Sequence, residues 1–170
     1  MTTLLLLIGL PGSGKSTLAK KLLTECPQWQ LISTDVIRGQ LFGNEAIQGS
    51  WLLICTEIHR QFQLACHKGS TTIYDATNAQ RHHRREVIAL ARELGFAEIT
   101  GVWVRTPVCR CLARNKRRER QVPEDVILRM HRQLRDAPPS LEEGLDHLIC
   151  LSSRAQEYGN CTGGVSKNRT

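Results

Sequence analysis

The sequence predicts an α/β fold, a doubly wound and mainly parallel five-stranded sheet flanked by helices. Two observations predict it. Short apolar or β-branched runs alternate with stretches of helical periodicity through residue 151, the pattern of strand–helix–strand units. The first run, Thr2-Thr3-Leu4-Leu5-Leu6-Leu7-Ile8, is continuously apolar after Thr3, as a strand covered on both faces must be.

That strand opens into Gly9-Leu10-Pro11-Gly12-Ser13-Gly14-Lys15-Ser16, followed by Thr17. The run fits G-x-x-x-x-G-K-[ST], a phosphate-binding loop. Its glycines let consecutive backbone N–H groups converge on an anion. The helix that follows points its positive end at the same place. Within Gly9, Pro11, Gly12, Ser13, Gly14, Lys15, Ser16 and Thr17, Lys15 is expected to reach the β- and γ-phosphates of ATP and the Ser16 hydroxyl to hold Mg²⁺.

The helix continues through Leu18, Leu22 and Leu23 to about Cys26, where Pro27 stops it. Gln30–Thr34 reads as the second strand, with Ser33, Thr34 or Asp35 capping a short helix that opens with Asp35–Arg38. A polar loop, Gly43–Ser50, precedes a longer helix from Trp51, in which Cys55, Ile58, Phe62 and Ala65 share a face until Lys68-Gly69. Thr71–Tyr74 is a β-branched and aromatic strand delivering Asp75 at its end. A helix from about Arg81 presents Val87, Leu90, Ala91 and Leu94 and stops at Gly95; Glu98–Val104 is the next strand. Pro107 begins a helix to about Arg117, Arg118–Gln121 is a charged turn, and Pro123 begins a helix with Ile127, Met130 and Leu134 inward. Pro138-Pro139 ends it, and His147–Leu151 is the last strand. From residue 153 a polar, glycine-containing segment reads as a tail.

At 170 residues, 41% hydrophobic and 23% charged, the chain is expected to form one domain, residues 1–152, with a tail over 153–170. No run approaches membrane-spanning length, and the N-terminus lacks a basic start, so a membrane partner and a signal peptide are not expected. Seven scattered cysteines without metal or redox spacing suit a reducing, cytoplasmic setting. The net charge of +7 is local: ten Lys or Arg between Arg105 and Arg135 face three acids, and the remainder is neutral. Such placement points to a device at one site and not to a basic coat.

Ligands of doubly wound sheets bind at the carboxyl ends of the strands. That rule brings the loop, Asp35 and Asp75 together. Asp35 and Arg38, three apart, can face the same way, one to take a proton from an acceptor hydroxyl and the other to hold the acceptor; on residue type alone Asp35 serves equally as a helix cap and Arg38 as a surface charge. Asp75 suits a strand-end hydrogen-bond acceptor or a Mg²⁺ ligand, and Thr77 and Asn78 suit helix caps. Arg114, Arg117, Arg118 and Arg120 are expected to form a mobile lid over ATP, against the alternative of an exposed helix end. His82 and His83 read as surface residues, and Trp29, Trp51 and Trp103 as packing.

Together these residues resemble the polynucleotide 5′-hydroxyl kinase domain of the phage and bacterial RNA-repair type, among the AAA-type phosphate-loop kinases. The resemblance spans about Leu4 to Leu134. It rests on the loop, on Ser33-Thr34-Asp35-Val36-Ile37-Arg38, on Asp75-Ala76-Thr77-Asn78 with Arg84-Arg85, and on Arg114-Asn115-Lys116-Arg117-Arg118-Glu119-Arg120-Gln121-Val122-Pro123. It implies a phosphate-loop kinase fold with a short helical lid over about 114–122. It further implies Asp35 as general base, Arg38 on the acceptor side, Asp75 positioning that arginine, and Arg120, then Arg117, on the ATP phosphates, with Arg114 nearby. The implied activity is transfer of the γ-phosphoryl of ATP to a nucleic-acid 5′-hydroxyl. The same outline serves kinases of small hydroxyl-bearing molecules, of the zeta-toxin and chloramphenicol-phosphotransferase types, and a regulatory ATP-binding protein. DNA and RNA are not distinguished, and neither is the oligomeric state.

Overall fold

The computed structural model describes residues 2–47 and 49–152; the expected tail, 153–170, lies outside them. Five strands, β1 (Thr3–Ile8), β2 (Gln30–Ser33), β3 (Thr72–Asp75), β4 (Glu98–Arg105) and β5 (His147–Ser152), form one sheet in the order β2-β3-β1-β4-β5. Every pairing is parallel. The helices are α1 (Lys15–Glu25), α2 (Thr34–Phe42), α3 (Trp51–Lys68), α4 (Arg81–Glu93), α5 (Val108–Asn115) and α6 (Glu124–Asp136), with a 3₁₀ turn at Leu141–Glu143. This is the expected doubly wound class.

Strand alternation sorts β1 onto two cores. Leu4, Leu6 and Ile8 face one cluster with Ile54, Ile58 and Phe62 of α3, Ile88 and Ala91 of α4, and Ile127 and Leu134 of α6. Leu5 and Leu7 face the other, smaller cluster with Ala19, Leu18, Leu22 and Leu23 of α1. The chain leaves β1 toward one sheet edge and leaves β3 toward the other, so right-handed crossovers send α1 and α4 to opposite faces. A crevice opens where they part, at the carboxyl ends of β1 and β3.

Several expectations shift. The helix expected to open at Asp35 starts one residue earlier, at Thr34, and runs to its left-handed cap, Gly43, at φ 73°. The inward faces of α3 and α4 are set by Ile54 and Ile88, one step from Cys55 and Val87, which are half-buried. The segment expected to form a short helical lid is a turn and not a helix past Asn115. α5 ends at Asn115, whose side chain bonds both backbone groups of Val122 (Nδ2 to O at 2.7 Å, N to Oδ1 at 3.0 Å) and so closes the 116–121 segment on itself.

Candidate active site

The phosphate loop wraps between β1 and α1, and two of its glycines carry the curvature. Gly12 and Gly14 have φ of 79° and 107°, a region that side chains with a Cβ avoid. A Cβ on Gly12 would also stand 2.6 Å from the Cys111 carbonyl oxygen of α5. Thr106, just past β4, donates its hydroxyl to the Ser13 carbonyl at 2.8 Å, and Arg114 Nη1 donates to the Gly12 and Ser13 carbonyls at 3.2 and 3.3 Å. Gly9 N–H binds the Thr77 carbonyl at 3.0 Å, joining the loop to the segment after β3.

Lys15 is buried, and its Nζ donates to the Leu10 carbonyl at 2.8 Å. Burial lowers its ammonium to about 8; Asp75 opposes the shift and Arg118 adds to it. Ser16 donates its hydroxyl to Asp75 Oδ2 at 2.7 Å. Two hard oxygen donors, a hydroxyl and a buried carboxylate, thus meet at the strand ends, a donor set suited to Mg²⁺ shared with nucleotide phosphates. Among the described residues the side-chain hydrogen bond of Asp75 goes to Ser16 and none joins it to Arg38.

Asp35 lies in the first turn of α2 but does not cap it; Ser33 occupies the cap position. Its carboxylate turns outward instead. Oδ1 receives Arg38 Nη1 at 3.0 Å and Arg120 Nη1 at 3.1 Å. Arg38 is mostly buried, and its Nε has no partner among the described residues. Arg120 spans the gap from the 116–121 turn to α2, with Glu45 3.9 Å away.

These groups line one cavity of about 1290 Å³, which the loop from Pro11 to Thr17, Asp35, Arg38, Asp75, Arg114 and Arg120 all border. Arg117 does not line it; Arg118 does. Beyond Asp35 the wall turns apolar. Cys55 and Ile58 of α3, Val87 and Leu90 of α4, and the buried Tyr74 line it. Trp51, half exposed, stands at this wall with its ring 5.9 Å from that of His83 and tilted by 32°. Trp51 thus packs at an edge, as expected, but at the edge of the cavity, and the half-buried His83, expected at the surface, borders the cavity with it. Burial, with His82 beside it, lowers the His83 pKa. Trp29 does pack, against the α1 cluster, and Trp103 lies under the Arg105 guanidinium at 4.8 Å.

Behind the site, Asn78 takes a left-handed φ of 49° and donates Nδ2 to the Leu7 carbonyl at 2.6 Å. Arg84, fully buried, donates to the carbonyls of Asn78, Ala79 and Ala137 and pairs through two 2.6 Å bonds with the buried Glu143. Sequence reasoning misses Thr106 and the place of Trp51 in the site, although each flanks an element end that the strand-end rule puts near the ligand.

The family model described as the AAA domain matches residues 4–137. No curated protein matches the sequence. Among solved structures, a chain of the Pnkp1/Rnl/Hen1 RNA repair complex superimposes with a TM-score of 0.72 at 23% identity, covering 85% of this chain and 46% of that one. This chain therefore spans less than half of that relative. A fungal RNA kinase gives 0.65 at 18% identity, with 92% and 77% covered. A gluconokinase from Sinorhizobium meliloti 1021 gives 0.58 at 14%, with 87% and 81% covered. At these identities the likeness establishes the fold.

Proposed function

From the premise that the chain belongs to the AAA domain family, matched over residues 4–137, we propose that residues 1–152 are an ATP- and Mg²⁺-dependent kinase that phosphorylates a nucleic-acid 5′-hydroxyl. The observation that carries this reading is the Asp35 carboxylate. It is held by two arginines at the rim of the cavity that also contains the phosphate loop. A loop suited to a phosphoryl donor and a carboxylate suited to a proton therefore border one space.

In this reading the loop amides and Lys15 hold the β- and γ-phosphates, and Arg118 and Arg120 add positive charge from the lid side. Ser16 and Asp75 would hold Mg²⁺, which when bound neutralises phosphate charge. Asp35 accepts the hydroxyl proton while the acceptor oxygen bonds to the γ-phosphorus and the bond to the β–γ bridging oxygen breaks, releasing ADP. Arg38 orients Asp35 and presents the outer edge of its guanidinium to an anionic group of the acceptor. The Trp51–His83 wall favours an acceptor whose hydroxyl adjoins a flat apolar ring. A nucleobase stacks there at a gain of about 1–3 kcal/mol, whereas a polyol would leave its hydroxyls facing Val87, Leu90 and Ile58 without partners.

The test is transfer from γ-labelled ATP to short 5′-hydroxyl DNA and RNA strands, with 5′-phosphorylated strands as controls. Label on the 5′-hydroxyl strands alone is the expected result. Asp35→Asn is expected to lower the rate by about 10²–10⁴ while ATP still binds. Wild-type protein that binds ATP and labels neither strand would overturn the reading in favour of a small hydroxyl-bearing substrate or a regulatory ATPase.

A further inference from the structure

The lid absorbs only part of the basic window noted in the sequence. Arg129 and Arg132, three apart and therefore on one side of α6, are exposed and lie away from the main cavity. With Arg81 and His82 at the start of α4 they line a second, shallow groove of about 380 Å³. Three arginines face one carboxylate there, Asp136, which Arg135 already binds at 2.8 Å. Arg81 lies 3.4 Å from Glu143, which also pairs with Arg84, so one carboxylate serves two guanidiniums and a net positive charge remains beside the groove. Gln80 and Gln133 line the groove and the main cavity alike, so the two spaces share a wall.

We propose that this groove is a binding site for the phosphodiester backbone of the acceptor strand, downstream of the nucleotide being phosphorylated. The inference rests on the reading of the acceptor as a nucleic-acid end. The chemistry of the lining selects backbone over base. Guanidinium groups suit phosphate oxygens, and His82 is the one ring among the described residues of the groove. The groove thus supplies charge without a stacking surface, and the Trp51 wall supplies the reverse. A strand longer than a few nucleotides engages both; a dinucleotide reaches only the cavity.

The experiment compares wild type with Arg129→Glu/Arg132→Glu on two acceptors, a 5′-hydroxyl strand of about 15 nucleotides and a 5′-hydroxyl dinucleotide, over a salt series. For the long strand KM should rise about tenfold or more with kcat little changed. The slope of log(kcat/KM) against log[salt] should flatten by about 0.7 for each phosphate that the groove no longer neutralises, as single strands release counterions. The dinucleotide and the ATP affinity should stay within about twofold of wild type. Equal losses on both acceptors, or none on the long strand, would overturn the groove assignment while leaving the kinase reading standing. Failure of the wild type on both acceptors, with ATP bound, would overturn the kinase reading and this one with it.

Discussion

Lys15 joins two opposing demands, a charge for phosphate and a place out of water. In the free protein its ammonium is lowered to about 8 by burial, against an ordinary value of 10.5. The unfolded chain binds the extra proton between those values, so the cost of burying this charge is full below pH 8 and fades as pH rises toward 10.5. Nucleotide phosphates restore the proton. At pH 8.5 ATP binding should take up most of a proton, and at pH 7 almost none, read by calorimetry in buffers of different ionisation heat. Equal heats in all buffers at pH 8.5 would contradict it. Gly12 sets the other demand at this scale. Gly12→Ala must carry a Cβ at φ 79° and into the Cys111 carbonyl. ATP affinity should fall by about tenfold or more while the sheet stays folded.

At the scale of elements, the joint between α4 and the 3₁₀ turn depends on the Arg84–Glu143 pair, which holds the backbone after Asp75 in place through Asn78 and Ala79. Breaking it leaves a buried charge alone. Glu143→Ala should cost about 3–5 kcal/mol in denaturant unfolding, and a change under about 1 kcal/mol would show that the pair is dispensable. This joint is illegible in the sequence. Arg84 is a charged residue on the buried side of a helix, in line with Ile88 and Ala91, and its partner lies 59 residues on in a turn with no periodicity. The strands and long helices are legible because burial writes a period into them, and the loop because phosphate chemistry fixes residue types at fixed spacing. Side-chain direction is not. Nothing local says that Asp35 turns away from its cap role, that Arg118 and not Arg117 enters the cavity, or that Trp51 faces the site. Each depends on a neighbour distant in sequence.

For the whole molecule, the proposed site lies between both clusters of the core, so ligand and fold are coupled. ATP at about 100 times its Kd should add about 2.7 kcal/mol to stability, raising Tm by roughly 5–11 °C for a domain of this size. Scanning calorimetry with ATP and Mg²⁺ checks it, and an unmoved Tm with ATP bound would show that nucleotide also binds the unfolded chain. The position of β1 in the sheet has a further consequence, for synthesis. The first strand made is the central one, and its two partners begin at Thr72 and Glu98. During translation the phosphate loop therefore emerges as an orphan, with no strand beside β1 until β3 follows about 60 residues later. At about 5–20 residues per second that delay lasts roughly 3–12 s. Through it, Leu4 to Ile8 is an unpaired apolar strand in need of shelter. Nascent chains arrested before β4 should bind no ATP, and those arrested well past β5 should bind it.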